Sequence, residues 1–67
     1  MIHVTVNGAQ HRFEQPIAVT QLLESLALAG RKIAVERNGE IVPKSAHAQT
    51  LLGDGDRLEI VVAVGGG

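Results

Sequence analysis

The residues best suited to a chemical role lie at the carboxyl end of the sequence, where Gly65, Gly66 and Gly67 follow a stretch rich in β-branched residues. Glycine keeps a chain mobile, and its backbone can enter a channel too narrow for any Cβ. A carboxylate carried on such a chain beyond a rigid strand is suited to delivery into the active site of another protein. Small residues are also common where a chain end simply frays, so the glycines alone do not separate these two interpretations.

Other residue types that could do chemistry lack the necessary spacing. His3, His11 and His47 are not spaced as metal ligands, so we expect surface or hydrogen-bonded histidines. Asp54 and Asp56 resemble a fragment of a calcium loop, but the further acidic ligands are missing, so they predict a turn. Thr5, Thr20, Ser45 and Thr50 have no adjacent base that could activate them. The sequence therefore predicts a protein that is not an enzyme.

The composition bounds the class of protein. The 67 residues are 45% apolar and 19% charged, which is typical of one small globular domain. The lack of cysteine excludes a disulfide and a thiolate zinc site. The net charge of -1 and the single aromatic residue, Phe13, disfavour nucleic acid as a partner. With neither an apolar span nor a signal-peptide pattern, we expect no membrane partner and a cytoplasmic location.

The first part of the chain has the pattern of a β-hairpin. Alternating apolar residues predict a strand at residues 2–6. Asn7-Gly8 then predicts a tight turn, because both central residues of a type I′ turn need positive φ. We expect the returning strand at residues 10–14, with Phe13 as an anchor of the core.

The period of the apolar residues then changes to that of a helix. From residue 19 to residue 28 they recur on one helical face. Either Thr20 or Ala18 could occupy the capping position at the start. Gly30 predicts the carboxyl-terminal stop.

The second half of the chain reads as further strands. A second Asn-Gly turn, Asn38-Gly39, separates two of them, and we expect Leu51 and Leu52 to lie under the sheet. The predicted strands are at residues 33–37, 40–42 and 57–64. Since one helix cannot cover both faces of a sheet, the order predicts an α+β fold. One helix packs across one face of a mixed sheet of four to five strands, with the first and last strands parallel at its centre.

The last strand predicts which face stays open. Arg57 and Glu59 prefer water, so the helix should pack on the opposite face, with Leu58. Val61 and Ala63 then lie on the open face near the glycine tail. An exposed apolar spot rimmed by charge is typical of a partner-docking face, although scattered exposed apolar residues are also normal.

Several segments, taken in order, resemble the ThiS family of thiamine-biosynthesis sulfur carriers, which have the ubiquitin-like β-grasp fold. The resemblance covers essentially the full length. One departure is His47, near a position where the family often has tryptophan, and it concerns local packing. The matching segments are the opening strand with Asn7-Gly8, Val19-Thr20-Gln21-Leu22-Leu23, residues 33–43, residues 54–61 and Gly66-Gly67.

The resemblance implies a β-grasp domain at residues 1–64 and a flexible tail at residues 65–67. It implies that a ubiquitin-activating-like adenylyltransferase (ThiF-type) adenylates the Gly67 carboxylate with ATP. A persulfide sulfur donor then replaces AMP, which leaves a thiocarboxylate that supplies thiazole synthase (ThiG-type). The tail, Gly65 to Gly67, would enter the active sites of these partners, and the carrier itself would bind no cofactor.

Two alternatives remain open from the sequence. The small subunit of molybdopterin synthase shares the fold, the tail and the chemistry, although that family usually runs longer and more aromatic. A β-grasp binding module without covalent chemistry would have the same strands and a tail that only frays.

Overall fold

The computed structural model describes residues 1–62. Within this range the chain forms short strands, one α-helix and one turn of 3-10 helix. In chain order the elements are β1 (Ile2–Val6), β2 (Ala9–Phe13), β3 (Ile17–Ala18), α1 (Val19–Ser25), β4 (Ile33–Arg37), β5 (Glu40–Ile41), the 3-10 turn (Lys44–Ala46), β6 (Leu51–Leu52) and β7 (Arg57–Val62).

The main sheet has five strands in the order β2-β1-β7-β4-β5. β1 and β7 are parallel, and every other neighbouring pair is antiparallel. The sheet is therefore mixed, and its first and last strands lie side by side as predicted. One helix covers one face, which confirms the predicted α+β class.

Both Asn-Gly pairs form the tight turns that the sequence predicts. Asn7 and Gly8 have φ of 50° and 84°, and Asn38 and Gly39 have φ of 52° and 87°. Positive φ at two successive residues lets a two-residue turn follow the right-handed twist of the strands it joins. These turns place β2 beside β1 and β5 beside β4.

The core lies between the helix and the sheet. Leu22 and Leu58 are essentially inaccessible to solvent, and Phe13, expected as an anchor, is only partly buried at its margin. Burial of one such leucine side chain is worth about 1.5–3 kcal/mol, so contact between these two layers stabilises the fold. The buried apolar residues of this core are Ile2, Val4, Val6, Val19, Leu22, Leu23, Val35, Leu52, Leu58 and Ile60.

The residue at the capping position of the helix is Ala18, and Thr20 lies in the first turn. Ala18 has no side-chain oxygen that could accept a hydrogen bond from the helix. The Gln21 Oε1 instead accepts a hydrogen bond of 2.8 Å from the Ala18 N–H. A side chain from the first turn thus satisfies a main-chain donor that the helix leaves free.

The predicted helix end at Gly30 is wrong. α1 ends at Ser25, and Ala27 takes φ of 60°. The Leu28 N–H donates to the Leu23 carbonyl at 2.8 Å and the Ala27 N–H to Glu24 at 3.1 Å, which is a Schellman arrangement. Glycine usually occupies the left-handed position of this arrangement, and here alanine does.

A second, two-stranded sheet was not predicted. β3 and β6 pair antiparallel, with Ile17 opposite Leu52 and Ala18 opposite Leu51. Leu52 is buried as expected, but Leu51 is 61% exposed, so its expected place under the sheet is wrong. In a strand, neighbouring side chains point to opposite faces, which separates the two leucines.

Candidate functional site

β7 leads directly towards the glycine residues. It is a central strand, flanked by β1 and β4, and its pairing with β4 continues to Val62 opposite Ile33. Ala63 and the tail glycines Gly65, Gly66 and Gly67 lie outside the described residues. Their predicted roles, and the domain boundary between residues 64 and 65, therefore stay predictions.

An asparagine side chain holds β7 where β1 ends. The Asn7 Nδ2 donates to the Ile60 carbonyl oxygen at 3.0 Å, and the Ile60 N–H donates to the Asn7 Oδ1 at 2.8 Å. The amide thus takes the place of the next residue of β1 and satisfies both main-chain groups of Ile60. The sequence indicated Asn7 only as a turn residue, because this contact joins residues far apart in the chain.

The open face of β7 is the one that the sequence predicts. Leu58 and Ile60 are 1% and 6% exposed, so they face the helix, whereas Val61 is 63% exposed. Arg57 and Glu59 are also exposed. Val61 is therefore available to a partner, and it is close in the chain to Gly65, the first of the tail glycines.

A second apolar residue accompanies Val61. Ala34 of β4 is directly opposite it in the ladder and is also exposed. Sequence reasoning missed Ala34 because only the pairing of β4 with β7 brings the two residues together. The alternation within residues 33–37 would have placed Ala34 on the open face, had that pairing been considered.

Acidic side chains border this apolar pair. Glu36 and Glu59 are directly opposite each other, one step along the same face from Ala34 and Val61. Like charges in this position destabilise a sheet slightly. The result is an apolar spot with a charged margin, which is the pattern expected of a docking face.

The histidines do not form a cluster. Within residues 1–62, no three histidine, aspartate or glutamate side chains come together as metal ligands. The His3 Nδ1 lies 3.1 Å from the Asp54 Oδ1, and the His3 N–H donates to the same oxygen at 2.7 Å. The hydrogen bond from the His3 main chain lowers the pKa of the exposed Asp54 carboxyl below its ordinary value, and the contact with the His3 side chain adds a smaller effect in the same direction.

His47 is buried. Its Nε2 lies 3.0 Å from the Val42 carbonyl oxygen. Because a carbonyl oxygen only accepts, this nitrogen carries the hydrogen. His47 is thus a hydrogen-bonded histidine, one of the two kinds that the sequence predicts.

Asp56 organises the turn before β7. It accepts hydrogen bonds from the Arg37 Nε at 3.0 Å, the Asn38 Nδ2 at 3.1 Å and the Gly53 N–H at 2.8 Å. Burial raises the pKa of the Asp56 carboxyl, but these donors outweigh it and hold that pKa below its ordinary value. This confirms the predicted turn and gives Asp56 a structural role.

None of the helices in residues 1–62 has the length and apolar character needed to cross a bilayer.

Comparison with known proteins matches this chain to sulfur-carrier proteins. A thiamine biosynthesis protein (ThiS) from Geobacter metallireducens, known from its crystal structure, superposes with a TM-score of 0.82 at 35% identity, over 98% of this chain and 100% of that one. The sulfur carrier protein ThiS of Bacillus subtilis is 38% identical over 63 residues, which are 92% of this chain and 96% of that protein. The ubiquitin-like β-grasp fold is thereby confirmed.

A much longer protein is also similar. A thiazole synthase of Paramagnetospirillum magneticum is 50% identical over 64 residues, or 96% of this chain. The chain spans only 20% of the length of that relative. The sequence profile of the ThiS family matches residues 4–67, and the chain belongs to this family.

Proposed function

We propose that this chain carries sulfur for the thiazole ring of thiamine, as a thiocarboxylate on the carboxyl group of Gly67. The observation that carries the proposal is the match to the ThiS family over residues 4–67, a range that includes the glycine tail. The matches to ThiS and thiazole synthase proteins favour the thiamine pathway over the molybdopterin alternative.

The described part of the chain provides a firm base for such a tail. β7 has a strand on each side, and the Asn7 amide fixes both main-chain groups of Ile60. A tail that starts from a fixed strand samples a smaller volume than one that starts from a loop. This reduces the ordering that a partner must impose when it draws the carboxylate into its active site.

The proposed chemistry proceeds on the carboxylate in balanced steps. A carboxylate is a poor electrophile, so a ThiF-type adenylyltransferase first joins a Gly67 oxygen to the α-phosphate of ATP and releases pyrophosphate. The terminal sulfur of a persulfide then attacks the Gly67 carbonyl carbon and displaces AMP. A thiol cleaves the resulting S–S bond, which leaves the thiocarboxylate on Gly67 and a disulfide on the donor. The partners supply ATP, metal and nucleophile, and this chain supplies the electrophile.

Thiazole synthase is the proposed acceptor. A stretch similar to this chain occupies 20% of the P. magneticum thiazole synthase. A carrier-like segment within a synthase is the arrangement expected when the carrier delivers to that enzyme, because one chain holds donor and acceptor at high effective concentration.

Intact mass spectrometry tests the proposal. The chain is incubated with a ThiF-type enzyme, ATP and a persulfide donor, and we expect a mass gain that corresponds to one oxygen replaced by sulfur. Gly67→Ala, or one alanine added after Gly67, should abolish this gain, because the activating site admits only a thin chain with a correctly placed carboxylate. One alanine added before Met1 is the matched control and should leave the gain unchanged.

Two results would contradict the proposal. One is an undiminished mass gain in the variant extended after Gly67. The other is normal thiazole formation by a thiazole synthase that is supplied only with the extended chain. Circular dichroism of each variant verifies that the fold is intact.

A further inference from the structure

A cleft of about 500 Å³ lies beside the far end of β7, between the helix and the edge of the sheet. Its apolar surface comes from the helix, from the segment that follows the helix, and from the ends of β4 and β7. Val61 belongs to it, so the cleft is continuous with the open face described above. The apolar residues that line it include Leu23, Leu28, Ile33, Ala34 and Val61.

The polar margin of this cleft is basic. Lysine and arginine number six in the sequence, and three of them, Arg31, Lys32 and Lys44, line the cleft. No aspartate or glutamate of residues 1–62 lines it. Within the described range, the ion pair of Arg37 with Asp56 and the contact of His3 with Asp54 do not involve these three cations. In a protein with a net charge of -1, this is a local concentration of one sign of charge.

The edge of β4 along this cleft is open. The Ile60 main-chain groups both bond to Asn7, so in the pair Val35–Ile60 the Val35 groups point away from β7. The Val35 carbonyl indeed accepts from the Val42 N–H at 2.8 Å on that outer side. Ile33 is two residues away and has the same orientation. Among residues 1–62, β5 pairs only with Glu36 and Arg37 of this strand, so nothing in that range pairs with the outer side of Ile33.

We propose that this cleft docks an extended, acidic segment of a partner protein. The segment adds a strand to the outer edge of β4 at Ile33, places an aliphatic side chain against Leu28 and Ile33, and sets flanking carboxylates beside Arg31, Lys32 and Lys44. Main-chain pairing supplies affinity, and the pocket with its charged margin supplies selectivity.

The three features together favour a peptide over a small anion. A small anion would use the cations alone and would leave the apolar surface and the Ile33 main-chain groups without partners. An extended peptide uses all three, since alternate side chains of a strand point into and away from the surface beneath it. The proposal stands on these contacts and does not depend on the sulfur chemistry.

Nuclear magnetic resonance titration tests the proposal with a defined probe. The probe is a capped peptide of sequence Glu-Glu-Val-Ile-Glu-Glu, and the matched peptide has every glutamate replaced by lysine. We expect the acidic peptide to shift the amide resonances of residues 31–35 and 44–47 and to leave those of Ala9–Phe13 in place. The lysine peptide should produce no shift at the same concentration.

Charge-reversal variants identify the cations that contribute. Combining Lys32→Glu with Lys44→Glu should lower the affinity for the acidic peptide by about tenfold or more, because it turns two attractions into repulsions. Arg12→Glu is the control, since Arg12 is an exposed residue of β2, the opposite edge strand. It should change the affinity by less than about twofold.

Each of three outcomes overturns the proposal. The first is no shift with millimolar acidic peptide. The second is a set of shifts centred on β2 or on the Glu59 part of the open face. The third is an equal loss of affinity in the Arg12→Glu control and in the double variant, which would show that the peptide responds only to the total charge of the protein.

Discussion

The two ends of β7 are built differently. At the Asp56 end, defined by Arg37, Asn38, Gly53, Asp56 and Arg57, side chains hydrogen-bond to one another and to the main chain. At the Val62 end, defined by Arg31, Lys32, Ile33, Val61 and Val62, the structure of residues 1–62 has no side-chain hydrogen bond to any of these five residues. At one end of this strand the polar groups hydrogen-bond within the protein, and at the other end apolar and cationic groups are exposed.

This difference assigns separate tasks to the two ends. The Asp56 end stabilises the turn before β7 and its contact with the end of β4, because Asp56 accepts hydrogen bonds from Arg37, Asn38 and Gly53. The Val62 end contributes little to the fold through polar contacts, so its groups remain available to other proteins. Substitutions at the first end should change stability, and substitutions at the second should change binding.

The largest loss of stability is expected for Asp56→Ala. It leaves Arg37, Asn38 and the Gly53 N–H without their acceptor and should lower the free energy of unfolding by about 2–3 kcal/mol. Urea unfolding followed by circular dichroism measures it. Asp54→Ala is the matched control, because that side chain is 66% exposed and bonds only to His3. Equal losses in the two variants would show that the Asp56 end has no special role.

A smaller effect, on binding and not on stability, is expected for Val61→Asp. Loss of the apolar contact and the addition of charge should weaken docking to a ThiF-type enzyme by about tenfold, which is 1.4 kcal/mol. Isothermal titration calorimetry measures this. Leu51→Asp is the control, since Leu51 has similar exposure, 61% against 63%, but belongs to the small sheet. An affinity unaltered by Val61→Asp would show that the docking face lies elsewhere.

A gain in stability is expected for Ala27→Gly, in the segment that leads to the Val62 end. Ala27 has φ of 60°, and glycine adopts this conformation without the steric cost that alanine has. The free energy of unfolding should rise by about 0.5–1 kcal/mol. Ala29→Gly, at a residue without positive φ, should be neutral or slightly destabilising. A loss in the Ala27 variant would mean that the left-handed conformation carries no strain.

Local patterns predicted most of the main sheet. The alternation in residues 2–6 and the two Asn-Gly pairs act between neighbours in the chain, so a single sequence contains the whole signal. The side on which Leu58 and Val61 lie could be predicted for the same reason. Charged residues at alternate positions of β7 identify the face that meets water.

Features that depend on distant parts of the chain could not be predicted. β3 and β6 have two residues each, too few to show a period, and they exist because they pair with each other. The apolar period of the helix continues to Leu26 and Leu28, which still pack against the core although the helix has ended. The contact of Asn7 with Ile60 and the pairing of Ala34 with Val61 appear only when the sheet is assembled.

The smallest predicted effect is the pH dependence that Asp56 gives to its end of β7. The pKa of Asp56 in the folded protein lies below the ordinary value of 3.8. The group therefore contributes stability that is present above pH 3.8 and is lost as the pH falls through the folded-state pKa. In Asp56→Asn this contribution is absent, so the free energy of unfolding should fall less steeply with decreasing pH in that range than in the wild type. Urea unfolding at a series of acidic pH values measures the difference. The contribution of Asp54 to the pH dependence is common to both proteins and cancels in the comparison. Parallel curves for the two proteins would show that Asp56 is ionised as readily in the unfolded chain as in the folded one, and that its three donors stabilise the turn without favouring its charge.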